Sequence, residues 1–199
     1  MLRTVLALAL LFGALPRSLA ADAATDTVTR FHDSLVGVMN KTPALGCEAR
    51  IGKLGPAVDS AFDLPFIAER VLRRHWKNLD EAQRAQFGAA LRRSVLITYA
   101  TEFATPGSVR FSTGDSETLA NGDRVVHATL QPAQGQAVTL DYQLKRRGEG
   151  WQVVNVLAEG VSDLALRSSQ YDGLMKTQGF PGLMAGLEQQ TQKIRNRCS

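Results

Sequence analysis

The chain has little of what most enzymes display. Its 199 residues include only two cysteines and three histidines. His32, His75 and His127 stand far apart, and no His-x-x-x-His pair offers zinc two ligands on one helix face. There is no Gly-x-Ser-x-Gly elbow and no glycine loop that would cradle phosphates. No metal site and no cofactor is therefore expected. A cysteine nucleophile needs a supporting niche, and Cys198, at the penultimate position, has little scaffold around it. Net charge is low, at +4, and Arg3 and Arg17 supply part of it from the extreme N-terminus. No patch interleaves aromatic and basic residues, so nucleic acid is not expected as a partner. Beyond residue 20 no apolar run approaches the roughly 20 residues that span a bilayer.

What is present begins with an export signal. Arg3 gives a positive start, and Val5 to Leu15 is apolar but too short for a permanent anchor. Ser18 and Ala20 place small residues at −3 and −1 of a cut after Ala20. Residues 1–20 thus read as a signal peptide and residues 21–199 as a single domain, long enough to bury a sizeable core. In an oxidising compartment the even cysteine count points to a Cys47–Cys198 bridge; two separate thiols are the other reading.

Hydrophobic periodicity divides the rest into three zones. Thr25 to Met39 repeats Val28, Phe31, Leu35 and Val38 at helical spacing, and Thr42-Pro43 breaks it. Ala44 to Ser60 is weakly patterned and reads as a short helix plus loops. Asp63 with Pro65 opens a helix, with Phe62 and Ile67 placed as a hydrophobic staple; Ile67, Val71 and His75 share its face. Asp80 with Gln83 forms a capping-box pattern ahead of the longest helix, whose apolar face carries Phe87, Leu91, Val95, Tyr99 and Phe103. The period then changes to two: strands are expected over 109–113, 124–131, 136–146 and 151–157. Helix returns from Ser162 or Asp163, is broken at Gly179-Phe180-Pro181-Gly182, and resumes through Leu183, Leu187 and Ile194. Helices, then hairpin-linked strands, then helices make an α+β fold with an antiparallel sheet of about four strands.

Two features allow chemistry or recognition. His75 could act as a general base with Asp63 or Glu69, although a ring at the core rim fits equally well. Arg70, Arg73, Arg74, Arg84, Arg92 and Arg93 make helical faces basic. Such a face is solvated by default; the sharper reading is contact with lipid head groups or an acidic partner.

The ordered wording of the chain resembles a known family. Phe62-Asp63-Leu64-Pro65-Phe66-Ile67-Ala68 through Val71-Leu72-Arg73-Arg74-His75-Trp76 is similar to the corresponding stretch of the MlaC family. Gln83-Arg84-x-x-Phe87, Tyr99-Ala100-x-x-Phe103, Leu140-Asp141-Tyr142, Gly150-Trp151-x-Val153 and Val154-Asn155-Val156-x-x-Glu159-Gly160-Val161-Ser162 continue the likeness in order, from about Thr25 to Ile194. The first stretch and Arg167-Ser168-Ser169-Gln170-Tyr171 look most like the HpnM branch, associated with hopanoids. Asn155 departs from that branch, where aspartate is common.

The resemblance implies helices packed on a curved antiparallel sheet, a fold like that of nuclear transport factor 2, enclosing an apolar cavity for lipid acyl chains. It implies a soluble periplasmic carrier that shuttles a phospholipid or hopanoid, partnered by an inner-membrane ABC transporter complex and an outer-membrane complex. Joined to the periodicity, it nominates Phe66, Val71, Leu91, Val95, Tyr99, Val138, Leu140, Tyr142, Val154, Val156 and Leu164 as the cavity wall, with Trp76 and Trp151 as structural anchors. No catalytic residue is nominated. The alternative is a small periplasmic enzyme acting on a lipid or isoprenoid with His75 as acid or base. A third reading is an adaptor that carries nothing and recruits a membrane complex through its arginines.

Overall fold

The structure, a computed structural model, describes residues 22–41 and 45–198. The expected signal peptide and the Thr42-Pro43 break lie outside the described residues. Helix α1 (Ala23–Met39) buries Val28, Phe31, Leu35 and Val38, the face its spacing specifies. Helix α2 (Cys47–Ala61) is longer than expected. Gly52, Gly55 and Pro56 lower its intrinsic propensity and hide its period. Tertiary contacts hold it instead: Leu54, Val58 and Ala61 are buried, and Cys47 is bridged to Cys198, with a Cα separation of 5.5 Å.

Helix α3 (Leu64–Leu72) starts as its sequence says: Asp63 caps it, accepting from the Phe66 amide at 3.0 Å, with Pro65 in the first turn. It stops earlier than the pattern suggests. Arg73 takes φ 50°, ψ −123°, and a 3-10 turn (Arg73–Asn78) follows. His75 therefore leaves the face of Ile67 and Val71. Helix α4 (Glu81–Glu102) carries both halves of the Asp80–Gln83 capping box, at 2.8 and 3.1 Å.

Five strands then form an antiparallel sheet in sequence order: β1 (Val109–Thr118), β2 (Arg124–Pro132), β3 (Val138–Arg147), β4 (Gly150–Ala158) and β5 (Val161–Ser162). The short fifth strand follows a tight turn in which Glu159 and Gly160 both have positive φ. One register shift matters for the site. Gln143 pairs with Asn155 but Leu144 pairs with Val153, so Val154 is an extra residue in β4. This bulge breaks strict alternation, and Val153 and Val154 are both buried.

Helix α5 (Asp163–Arg195) is kinked at Gly179, whose φ of 65° and ψ of −166° are not helical. The bend is sharp. A Cβ on Gly186 would lie 3.0 Å from Leu174 Cδ1, whereas a straight helix holds residues twelve apart at about 18 Å. The expected break at Gly179 to Gly182 is thus a turn between two packed helical halves.

Two apolar clusters result. One joins α1, α2, α4 and the sheet through Phe31, Leu35, Ile97, Tyr142 and Leu144. The other joins α3, α4 and α5 through Val71, Phe87, Leu91, Tyr171 and Leu183. Each fully buried side chain of this size contributes about 1.5–3 kcal/mol. Ile67 and Val95 pack against both clusters and mark the seam between them.

Candidate functional site

A cavity of about 230 Å³ lies at this seam. Phe62 and two residues of α3, Leu64 and Ile67, form one wall. Helix α4 adds Leu91, Val95, Thr98 and Tyr99, which its 3.6-residue period places on one face. The bulged segment Val154-Asn155-Val156 of β4 and the first turn of α5 close the rest. A bridge between Phe62 and Val153, with the Asp63 amide donating to the Val153 carbonyl at 3.0 Å, fixes α3 against β4.

Apart from Thr98 and the Tyr99 hydroxyl on α4, the polar side chains of the lining, Asn155, Asp163 and Arg167, gather along one edge where β4 meets the first turn of α5. Arg167 Nε donates to Asp163 Oδ2 at 2.7 Å; the arginine is 20% exposed and the aspartate 55%. Burial opposes the charge on Arg167, but Asp163 and the Tyr171 hydroxyl outweigh it and hold the pKa above the usual arginine value. Burial likewise pushes the Tyr99 phenol up, helped by the Asp163 carboxylate, so this hydroxyl stays neutral. Asn155 ties the edge together. Its Oδ1 accepts from Ser162 Oγ at 3.0 Å and from the Leu164 amide at 3.2 Å, while its Nδ2 donates to Gln143 at 3.0 Å.

Of the eleven residues nominated from the sequence, Leu91, Val95, Tyr99, Val154, Val156 and Leu164 line this cavity. Phe66 does not. It points to a surface where Arg147, Arg70 and Lys145 lie 5.2, 5.7 and 5.8 Å from its ring centre. Val71 is packed in the second cluster among α3, α4 and α5. Val138, Leu140 and Tyr142 belong to the first cluster, where α1 lies across the sheet; the Tyr142 hydroxyl meets His32 Nε2 at 2.9 Å. Phe62, Leu64, Ile67, Thr98, Asn155, Asp163 and Arg167 line the cavity without having been nominated. The Asp163–Arg167 spacing of four at a helix start was the available sequence signal. A second, mostly apolar cavity of about 490 Å³ shares Phe62 and Leu64 with the first and is bounded further by Trp76, Ala85, Gly88 and Ala89.

His75 stands outside the apolar cavity. Its acid partner is Asp172, at 2.9 Å, rather than Asp63, which caps α3, or Glu69. Lys176 and His75 hold the Asp172 carboxyl down at about 2. His32 is buried between Tyr142 and Thr113, and His127 faces Asp141 at 2.7 Å on the sheet surface. Among the described residues no group of three His, Cys, Asp or Glu side chains could hold a metal ion. No described helix is long and apolar enough to cross a membrane.

Comparison with solved structures gives a likeness to the phospholipid-binding protein from Ralstonia solanacearum, determined in complex with a phospholipid. The TM-score is 0.76 at 19% sequence identity, covering 86% of this chain and 98% of that one, which establishes a shared fold. The family model described as MlaC protein matches residues 29–189. The chain belongs to the MlaC family.

Proposed function

We propose that this protein is a soluble periplasmic lipid carrier that takes a phospholipid or a hopanoid from one membrane complex and delivers it to another. The apolar cavity with a single polar edge carries this reading. An acyl chain placed there gains about 0.8 kcal/mol for each buried CH₂, so carriage through water needs a slot and no catalytic group. The edge of Asp163, Arg167 and Asn155 gives the polar end of a lipid somewhere to stop. Family membership and the phospholipid found in the Ralstonia protein support the same class of ligand.

The cavity volume falls below the roughly 300–1,000 Å³ usual for small-molecule sites. A two-chain lipid therefore requires more room. Phe62 and Leu64 are a common wall of both apolar cavities, and their displacement would join the two spaces. Export through residues 1–20 would place the carrier between the membranes, with an inner-membrane ABC transporter complex and an outer-membrane complex as its partners. The test is to purify the protein natively, extract it with solvent and identify lipid by mass spectrometry, alongside uptake from labelled vesicles. A stoichiometric lipid is expected. Repeated absence of lipid, with no uptake, would reject the carrier.

A further inference from the structure

A separate groove of about 750 Å³ runs between the α3 end, the 3-10 turn and α5. Its floor is one face of α5: Leu164, Ala165, Ser168, Ser169 and Asp172. Four cations, Arg70, Arg73, Arg74 and Lys77, overhang it, against two carboxylates, Glu69 and Asp172. Asp172 is already engaged by Lys176, His75 and Arg74, at 2.6, 2.9 and 3.0 Å. Arg70, Arg73 and Lys77 have no ion pair among the described residues. The groove is therefore positive and its free donors are mostly guanidinium groups, which match the oxygens of phosphate.

Two further observations point to a ligand. Ser168 is only 5% exposed, and its hydroxyl has no hydrogen-bond partner among the described residues. A buried hydroxyl left so is costly, and Ser168 is one of the residues that line the groove. Arg73 holds a backbone conformation, φ 50° and ψ −123°, that a side-chain-bearing residue adopts only under strain. Leu164 belongs both to this groove and to the apolar cavity, so the two sites are contiguous.

We propose that this groove is a phosphate-binding subsite in which Arg70, Arg73 and Ser168 receive the phosphate group of a lipid whose chain lies beyond Leu164. Assigning the phosphate to a lipid rests on the carrier reading; the phosphate chemistry itself does not. A hopanoid without phosphate gains nothing from the groove, so the subsite favours phospholipid as cargo.

The experiment compares uptake of phosphatidylglycerol and of diacylglycerol with identical chains, and titrates inorganic phosphate by calorimetry. Wild type should prefer the phospholipid by tenfold or more. Arg70→Gln with Arg73→Gln, and separately Ser168→Ala, should erase that preference while leaving diacylglycerol uptake unchanged. Arg73→Gly guards against misfolding as the explanation: it relieves the backbone, so its thermal midpoint should hold or rise while the preference is lost. Phosphate binding that needs these residues, with both lipids taken equally, would assign the subsite to free phosphate. Uptake of neither lipid would remove the carrier, and the phosphate titration would then decide the subsite alone. Equal uptake of both lipids with no phosphate binding, or a preference that survives the substitutions, overturns the subsite.

Discussion

The amide of Leu164 donates to the side chain of Asn155 at 3.2 Å, which pins the first turn of α5 to the bulged strand β4 at the edge of the apolar cavity. This contact sets where α5 begins relative to the cavity wall. Asn155→Ala leaves the Leu164 amide and the Ser162 hydroxyl without their acceptor, and a loss of about 1–3 kcal/mol in unfolding free energy is expected. Asn155→Asp keeps both acceptor contacts, and a flip of the Gln143 amide lets its NH₂ donate to the new carboxylate, so a change within about 1 kcal/mol is expected. Denaturant titration of the two variants checks the ordering; an equal loss in both would remove Asn155 from this role.

The Cys47–Cys198 bridge joins the start of α2 to the end of the chain across 151 residues. Arg50, buried beneath it, donates to the Leu45 and Ala100 carbonyls and lies 3.2 Å from Cys198 Sγ. Constraining so long a loop in the unfolded chain contributes about 2–5 kcal/mol. Reduction, or Cys47→Ala with Cys198→Ala, should lower the thermal midpoint by several degrees. A midpoint indifferent to reductant would show that the bridge does not form in solution.

His32 gives stability a defined pH dependence. Burial lowers its pKa from 6.5 to about 4, and its neutral ring bridges Tyr142 and Thr113 at 2.9 and 3.0 Å. Between those two values the unfolded chain binds a proton that the folded chain does not. Stability is therefore full above pH 6.5 and falls as the pH drops toward 4, by on the order of 3 kcal/mol in total. His32→Asn should flatten this window in urea titrations run from pH 7 to 4. An unchanged slope in the variant would place the proton uptake elsewhere.

Local chemistry made much of the fold legible. Asp63 with Pro65 and Asp80 with Gln83 act within one turn, so their caps stand where the sequence puts them. Leu91, Val95 and Tyr99 reach the cavity because helical spacing alone sets their face. Long-range forces decided the rest. Gly52, Gly55 and Pro56 masked α2, which its packing and disulfide hold. The positive φ of Arg73 turned His75 toward Asp172, 97 residues away, and no spacing announces either event. The bulge at Val154 shifted the strand face, and three cations drew Phe66 to the surface.

The central claim is that lipid occupies the cavity between α4, β4 and α5. Val95 stands half-buried on its wall, and Val95→Trp fills the space from one side. Such overpacking costs about 1–3 kcal/mol, which a folded variant can be shown to tolerate by its far-UV spectrum and thermal midpoint. Leu164→Trp fills the same cavity from α5 should the first variant not fold. The deciding measurement is uptake of fluorescent phospholipid from vesicles by wild type and by the folded filled variant. A fall of tenfold or more in the variant is the expected result; uptake equal to wild type would contradict lipid binding in this cavity.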